Sequence, residues 1–278
     1  MPVDAAGGSG AKPSGGCTTG TPSATKSKYH VCMRSAHPPA RPHGELREVF
    51  PDVFFVNGSI DLGPLRISRT MTVVRVEERL VVINSLRLND EGFAALDALG
   101  TVTDVIRLGG LHGCDDPFYK ERYGAKTWAI EGQRYFEGLD PTVAETYFEA
   151  DGSLSAASEL PVPGASLYVF STAAPEAILR LPAGGGTLVS ADSMHNWHAD
   201  ELFNEPAKAA MEEAGMLRPH RLGGAWLAGL QPEPTEISGI LELDFDNVLP
   251  GHGQPVLGEA KAKYRPHIEE YVAARAAN

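Results

Sequence analysis

Apolar and polar positions along the chain predict a protein built mainly of short strands from Val49 onward, with helices between them. Runs rich in β-branched and aromatic residues and bounded by Gly, Pro, Asn or Asp are typical of strands. The unbroken apolar run over 80–83 predicts a strand that is buried on both faces. Asn57-Gly58 predicts a turn. The predicted strands are 52–57, 70–77, 80–83, 104–108, 126–130, 165–170, 177–181, 187–190 and 247–249.

Helices are predicted where apolar residues recur every three or four positions. Asn89 is a candidate N-cap for a helix over 90–99. The other predicted helices are 117–123, 205–214 and 264–277. Strands, a helix and a loop with chemically active side chains occur once in each half of the chain. This order predicts an α/β protein in which two βα halves pack sheet against sheet, with the helices outside.

The first 44 residues differ in composition from the remainder. They are rich in Gly, Ser, Thr, Pro and Ala and hold almost no large apolar side chain before Tyr29, so they cannot bury enough surface to offset the entropy cost of ordering. We predict a disordered low-complexity tail over 1–44 and one folded domain over 45–278. The tail also resembles an organelle transit peptide in its Ser and Thr content, but Asp4 and the lack of an amphipathic helix favour a solvated extension.

Charge and cysteine content narrow the expected partners and location. The chain has 24 Lys and Arg against 36 Asp and Glu, a formal charge of −12, and this charge repels phosphate backbones and anionic lipids. We therefore expect neither nucleic acid nor a membrane as partner. No apolar run approaches the roughly 18–20 residues of a transmembrane helix. The three scattered cysteines indicate a reducing compartment, and the cytoplasm is the expected location.

Three loops, each following an apolar strand, carry side chains that can ligate a metal ion. Strand ends hold such side chains at fixed distances from one another. The candidates are His112, Cys114, Asp115 and Asp116 in the first loop, Asp192, His195 and His198 in the second, and His252 in the third. Such residues can also have a purely structural role. Asp115 and Asp116, for example, can cap a helix that begins with Pro117.

The order and context of these loops resemble the metallo-β-lactamase superfamily over about residues 50–275. Leu-Pro-Gly-His252-Gly-Gln-Pro255 is the most specific segment, followed by Leu-Val-Ser-Ala-Asp192-Ser. The strand that ends in Asn84-Ser85 matches an early Ile-Asp segment of the family, with Asn in place of Asp. The resemblance implies a four-layer αβ/βα sandwich with a metal site at the sheet edges, and it implies metal-dependent hydrolysis.

The family's His-x-His-x-Asp-His motif is degenerate in this sequence. One register keeps the acidic half of the motif as Asp115 and Asp116 and places Leu111 and Gly113 at the two leading histidines. Ser171 then stands at the position of the family's middle histidine, so one of the two metal positions loses its three protein ligands. An alternative register brings His112 into the site together with Cys114 and Asp116. In the first register the remaining metal ligands are Asp115, Asp116, Asp192 and His252.

Three carboxylates and one imidazole imply a site for one divalent ion, with Zn²⁺, Mn²⁺ and Fe²⁺ as the expected metals. The expected function is that of a mononuclear hydrolase acting on a small ester, lactone, thioester or phosphoester, with Asp115 or Asp116 as general base. The lost ligands also allow a catalytically silent binding or interaction module, and an iron-dependent oxidoreductase is a third hypothesis. Candidates for substrate contact or support of the site are His112, His195, His198 and Trp226. A helical turn would place His195 and His198 on one face.

Overall fold

The structure is a computed structural model that describes residues 37, 39–133 and 149–276. The strands of this part are β1 (Arg47–Phe50), β2 (Val53–Leu62), β3 (Leu65–Val76), β4 (Arg79–Ile83), β5 (Thr101–Arg107), β6 (Lys126–Ile130), β7 (Gly152–Leu154), β8 (Ser166–Val169), β9 (Ala177–Leu181), β10 (Thr187–Val189), β11 (Met194–Asn196), β12 (Arg221–Leu222), β13 (Asn247–Leu249) and β14 (His252–Gly253). The helices are α1 (Asp90–Asp97), α2 (Asp116–Tyr123), α3 (Glu205–Glu213), α4 (Gly224–Leu230), α5 (Pro234–Gly239) and α6 (Ala260–Ala276), with short 3₁₀ turns at Ala183–Gly185 and Ile240–Glu242.

Strands β1 to β7 form one sheet in chain order. The first four strands are antiparallel and β4 to β7 are parallel. The central strand β4 is buried on both faces, as its apolar run predicts. Val81 and Ile83 face the core between the sheets, whereas Leu80 and Val82 face a second core beneath α1 and α2.

A smaller sheet with the order β13-β10-β9-β8 packs against the first one. Side chains from both sheets share one core, in which Phe55 and Ile106 of the large sheet meet Leu179 and Val189 of the small sheet. The other face of the small sheet packs against α4, α5 and α6 through a separate apolar cluster. The chain therefore folds into four layers, helices on sheet and sheet on helices, which confirms the predicted αβ/βα sandwich.

Most predicted elements agree with the structure to within a few residues, and the Asn89 side chain caps α1 by accepting a hydrogen bond from the Gly92 N–H at 2.8 Å. The predicted turn at Asn57-Gly58 is wrong, because both residues lie inside β2 opposite β3. The β2–β3 turn lies further on, at residues 63–64. Packing favours glycine at position 58, since a Cβ there would lie 2.3 Å from the end of the Leu86 side chain, which would have to shift.

The prediction of a disordered tail falls mostly outside the described residues. The tail over 1–44 is described only from residue 37 onward, with residue 38 left out. Within that part, the Pro42 carbonyl accepts a hydrogen bond from Ser59 and the Gly44 N–H donates to Asn57, so the chain already contacts the sheet there. Residues 134–148 also lie outside the described ranges. Among the described residues, the helices include none with both the length and the apolar character needed to cross a bilayer.

Candidate metal centre

The three loops predicted to carry ligands meet at one edge of the sandwich. Asn84 connects two of them to the end of β4, because its side-chain amide donates to the Ser190 carbonyl at 2.9 Å and accepts from the Leu108 N–H at 3.1 Å. Its φ of 54° is in the left-handed region, which asparagine tolerates better than most residues. The Thr70 N–H donates to the Gly251 carbonyl at 3.0 Å and so attaches the third loop to β3.

His112, Asp192 and His252 converge at this edge. Asp192 Oδ1 lies 3.3 Å from His112 Nε2 and 3.2 Å from His252 Nε2. Over the described ranges, these three residues form the one group of three or more His, Cys, Asp or Glu side chains whose potential ligand atoms all lie within 4.8 Å of one another. Both imidazoles are buried, and the Asp192 side chain is 18% exposed, so one side of the group faces open space.

The hydrogen bonds of His252 fit a metal ligand. Its Nδ1 donates to the Ser68 carbonyl at 2.7 Å, and its Nε2 lies 3.2 Å from Asp192 Oδ1. Nε2 is therefore the ring nitrogen that could bind a cation shared with the Asp192 carboxylate. Two ligands of a tetrahedral ion at bond lengths of about 2.0–2.1 Å are separated by about 3.3–3.4 Å, close to the observed spacing. A backbone carbonyl that fixes the ring tautomer is also usual for histidines that bind metals.

The charge of the cluster favours a cation. Burial alone would raise the pKa of Asp192, but His112 and His252 outweigh that effect and hold its pKa well below the ordinary value. Burial lowers the pKa of His112, although Asp192 partly offsets this. Asp192 is therefore a carboxylate at neutral pH, and His112 tends toward the neutral form that binds metals.

Glu176 supports the backbone of the Asp192 loop and is not among the residues predicted from the sequence. It is 2% exposed, and its carboxyl accepts a hydrogen bond from the Ser193 N–H at 2.6 Å. Burial first and the Asp192 charge second raise its pKa. Ser171, which the first register assigns to the family's middle-histidine position, is exposed and donates its N–H to Glu236. A single glutamate between two strands belongs to no motif, so only the fold reveals its position.

Asp115 lies outside the cluster and is bound to a buried arginine instead. Its carboxylate forms an ion pair with Arg69 and accepts a hydrogen bond from the Arg87 N–H at 2.9 Å. The Cys114 Sγ lies 2.7 Å from Nη1 of the same arginine. Burial places a high cost on an unpaired charge, and the pairing with Arg69 accounts for the position of Asp115. Arg69 is not among the residues predicted from the sequence to lie near the site.

Asp116 is also held away from the cluster. Its carboxylate accepts a hydrogen bond from Ser85 Oγ at 2.6 Å and lies 3.9 Å from Arg107 Nη1. The structure therefore brings together Asp192, His252 and His112 and separates Asp115 and Asp116 from them. This geometry agrees with the alternative register in one respect, because His112 belongs to the cluster. Cys114 and Asp116, which that register also brings into the site, do not belong to it.

The environment of Asp116 gives a pH dependence that can be measured. Burial raises its pKa to about 6, against opposing contributions from Arg107 and Ser85. The folded state then binds this proton more tightly than the unfolded state, so its contribution to stability is present below about pH 4 and is lost as the pH rises through about 6. We expect the free energy of unfolding of the wild type, relative to Asp116→Asn, to fall by about 1–3 kcal/mol over that range. Urea unfolding of both proteins at several pH values tests this, and a difference independent of pH would contradict it.

His195 and His198 do not share a helical face, because β11 replaces the expected helical turn. His195 lies on β11 beside His252, with ring centroids 4.8 Å apart, whereas His198 is exposed beyond the strand. Burial lowers the pKa of His195 to about 3, so its ring is neutral. Its Nε2 is buried and has no hydrogen-bond partner among the described residues. This atom is closely covered by its neighbours, so a ligand reaches it only if the surrounding side chains move.

The cluster opens into a cavity of about 320 Å³ with mainly apolar walls. Trp226 lies in one wall, as does Trp197, whose ring packs 4.5 Å from that of His252 and whose Nε1 donates to Ser68 Oγ at 2.8 Å. Most of the other apolar side chains of the wall come from the β2–β3 hairpin and from α3 with the turn after it. They are Ile60, Leu62, Ile67, Met211 and Met216, and Leu111 and Ala225 also lie in the wall. A cavity of this size accommodates a small ligand.

Comparison with known proteins gives information about the fold only. No protein-family model and no curated protein matches the chain. Solved metallo-β-lactamases have a similar fold. DIM-1, in a structure exposed to ceftazidime, has a TM-score of 0.53 and 13% identity over 84% of this chain and 100% of its own. FIM-1 from Pseudomonas aeruginosa, in its mono-zinc form, has a TM-score of 0.54 and 10% identity over 84% and 98%. The enzyme from Hirschia baltica has a TM-score of 0.50 and 14% identity over 81% and 96%. The chain thus has the metallo-β-lactamase fold.

Proposed function

We propose that this protein is a metal-dependent hydrolase with a single divalent ion held by His112, Asp192 and His252. The observation that carries the proposal is the convergence of these three side chains at the floor of an apolar cavity. Two imidazoles and one carboxylate form a ligand set found in catalytic zinc sites and in non-haem iron sites. The mono-zinc form of a protein with the same fold is consistent with one ion. We infer Zn²⁺ or Fe²⁺ ahead of Mn²⁺, because the set has one carboxylate rather than three.

A divalent ion bound here would polarise a carbonyl or phosphoryl oxygen and lower the pKa of water. The protein's own groups prepare the site for that chemistry. Ser68 fixes the tautomer of His252, and the Trp197 ring covers one side of the imidazole. Glu176 holds the backbone that carries Asp192. These contacts keep the ligand atoms in place before substrate arrives.

His195 is the group best placed to orient the attacking water. Its neutral ring lines the cavity and carries a buried, unpartnered Nε2, which would accept a hydrogen bond from water or from a substrate N–H or O–H once the side chains that cover it move. Asp115 and Asp116 are not proposed as the base, because both are paired with buried arginines. The apolar walls exclude bulk water and strengthen each polar contact inside the cavity. Small esters, lactones, thioesters and phosphoesters are the substrate classes proposed for this site.

Metal content measured by elemental analysis tests the proposal. Untagged full-length protein would be incubated separately with Zn²⁺, Mn²⁺ and Fe²⁺ and then desalted. We expect about one equivalent in the wild type and none in His112→Ala or His252→Ala, because each variant removes one of three protein ligands. His198→Ala is the matched control: it removes an exposed histidine that does not line the cavity and should leave the metal content unchanged.

Absence of metal from the wild type after all three incubations would refute the hydrolase proposal. The sandwich would then have to act as a metal-free binding or interaction module. Metal that persists in His252→Ala would instead place the ion elsewhere and would equally overturn the proposed site. A positive result would justify a screen of ester, lactone, thioester and phosphoester substrates with the metal-loaded protein.

A further inference from the structure

A second cavity, of about 430 Å³, adjoins the apolar one. The two cavities share His195, Met216 and Ala225 as lining residues, so they meet at these side chains. The walls differ in chemistry. The arginine that lines the apolar cavity, Arg69, is paired with Asp115, whereas the second cavity is lined by two arginines, Arg218 and Arg221. A ligand that fills the apolar cavity and extends past His195 would meet two guanidinium groups.

The arginines belong to a local concentration of positive charge in a chain whose formal charge is −12. Arg221 contacts the ring of His267, and burial first, then the charge of Arg221 and that of Arg218, lower the pKa of His267. The one acidic side chain paired with Arg221 in the described structure is Glu270, at 3.3 Å. Arg218 makes no ion pair with any described residue. One guanidinium charge in this cavity therefore remains uncompensated within the described residues.

We infer that the arginine cavity binds an anionic group, a carboxylate or a phosphate, of the small ligand whose apolar part occupies the cavity above His112, Asp192 and His252. Guanidinium groups form paired, charge-assisted hydrogen bonds with these anions. The inference rests on the proposed function and deepens it, since it restricts the substrate to an amphiphilic anion. The acidic remainder of the molecule repels anions in general, so the arginines would select ligands that also fit the apolar cavity.

Binding of matched probes to the full-length protein tests the inference. The probes are hexyl phosphate, hexanoate and hexan-1-ol, which share one alkyl chain, and inorganic phosphate, which has none. Isothermal titration calorimetry measures their affinities. We expect hexyl phosphate, hexanoate or both to bind about tenfold or more tightly than hexan-1-ol, because a charge-assisted hydrogen bond is about twice as strong as a neutral one. The tighter of the two anions identifies the group. We also expect hexyl phosphate to bind more tightly than inorganic phosphate, since the alkyl chain enters the apolar cavity.

Arg218→Gln should remove most of the preference for the anionic probes, because it deletes the uncompensated charge. Arg218 is exposed, so this change leaves the core intact. Arg79→Gln is the matched control, at an exposed arginine at the start of β4 outside both cavities, and it should keep the preference. Equal affinity for hexan-1-ol and both anions in the wild type would overturn the inference. Equal loss of the preference in both variants would overturn it as well.

A parallel titration after dialysis against EDTA separates this inference from the proposed function. An anion preference that persists without metal and disappears in Arg218→Gln supports the arginine cavity, whatever the metal analysis shows. A preference that disappears with the metal and is unaffected by Arg218→Gln would place the anion at the metal centre. That result would overturn the arginine cavity as the anion site and leave the hydrolase proposal intact. Inorganic phosphate that binds as tightly as hexyl phosphate would overturn the link between the two cavities.

Discussion

Replacing Asp115 with Asn is expected to lower the free energy of unfolding by about 3–5 kcal/mol and to leave metal binding intact. The side chains of Arg69 and Asp115 are only 6% and 4% exposed, so the variant leaves a buried guanidinium without its counter-charge. Cys114 cannot replace that charge, because burial raises the pKa of its thiol to about 12 and keeps it neutral. Urea unfolding followed by tryptophan fluorescence gives the stability, and elemental analysis gives the metal content.

Asp97→Asn is the matched control for this variant. Asp97 accepts a hydrogen bond from Arg122 at 2.9 Å, but both side chains are 40% exposed or more, and exposed pairs contribute about 0–1 kcal/mol. Replacing both buried partners with apolar residues, Arg69→Met with Asp115→Leu, should recover much of the loss, because no unpaired charge remains. Loss of metal with unchanged stability in Asp115→Asn would instead identify Asp115 as a ligand, as the first register of the motif implies.

The fold was largely predictable because its pattern is local. The signals that predict it each involve residues only a few positions apart. They are the apolar run of β4, the cap at Asn89 and the short β-branched runs. The failure at Asn57-Gly58 has a non-local cause. A glycine after asparagine is typical of a turn, but Gly58 lies in a strand and packs against the Leu86 side chain, 28 positions further along the chain.

The candidate site was less predictable, because the partners that determine its arrangement come from distant strands. Asp115 and Asp116 occur in a segment that resembles an acidic metal motif, but Arg69 on β3 and Arg107 on β5 pair with them in the interior. Arg69 lies one residue before the predicted start of its strand, and it belongs to no recognised motif. Glycines flank His112 on both sides of its loop, and nothing nearby in the sequence indicates that it meets Asp192. Only the packing of the two sheets establishes that contact.

Gly253→Ala is expected to lower the free energy of unfolding by about 3–5 kcal/mol, through overpacking combined with backbone strain. Strand β14 pairs with β11 in parallel, with His252 opposite His195 and Gly253 opposite Asn196. A Cβ on Gly253 would lie 1.8 Å from the Asn196 carbonyl oxygen. The backbone φ of +96° adds a further cost for any L side chain. Because His252 is the adjacent residue, we also expect weaker metal binding, measured by competition with a chelator.

Gly258→Ala separates the two causes. Gly258 has a similar φ of +75°, but a Cβ there meets nothing within 4 Å, so the expected cost is the backbone strain of about 1–2 kcal/mol alone. A larger loss in Gly253→Ala than in Gly258→Ala would attribute the difference to the close approach of β14 and β11. The glycine after His252 would then be a packing requirement that places the imidazole beside Asp192, so the same short motif would supply both the ligand and its position. Equal losses in the two variants would show that the backbone angle alone requires this glycine.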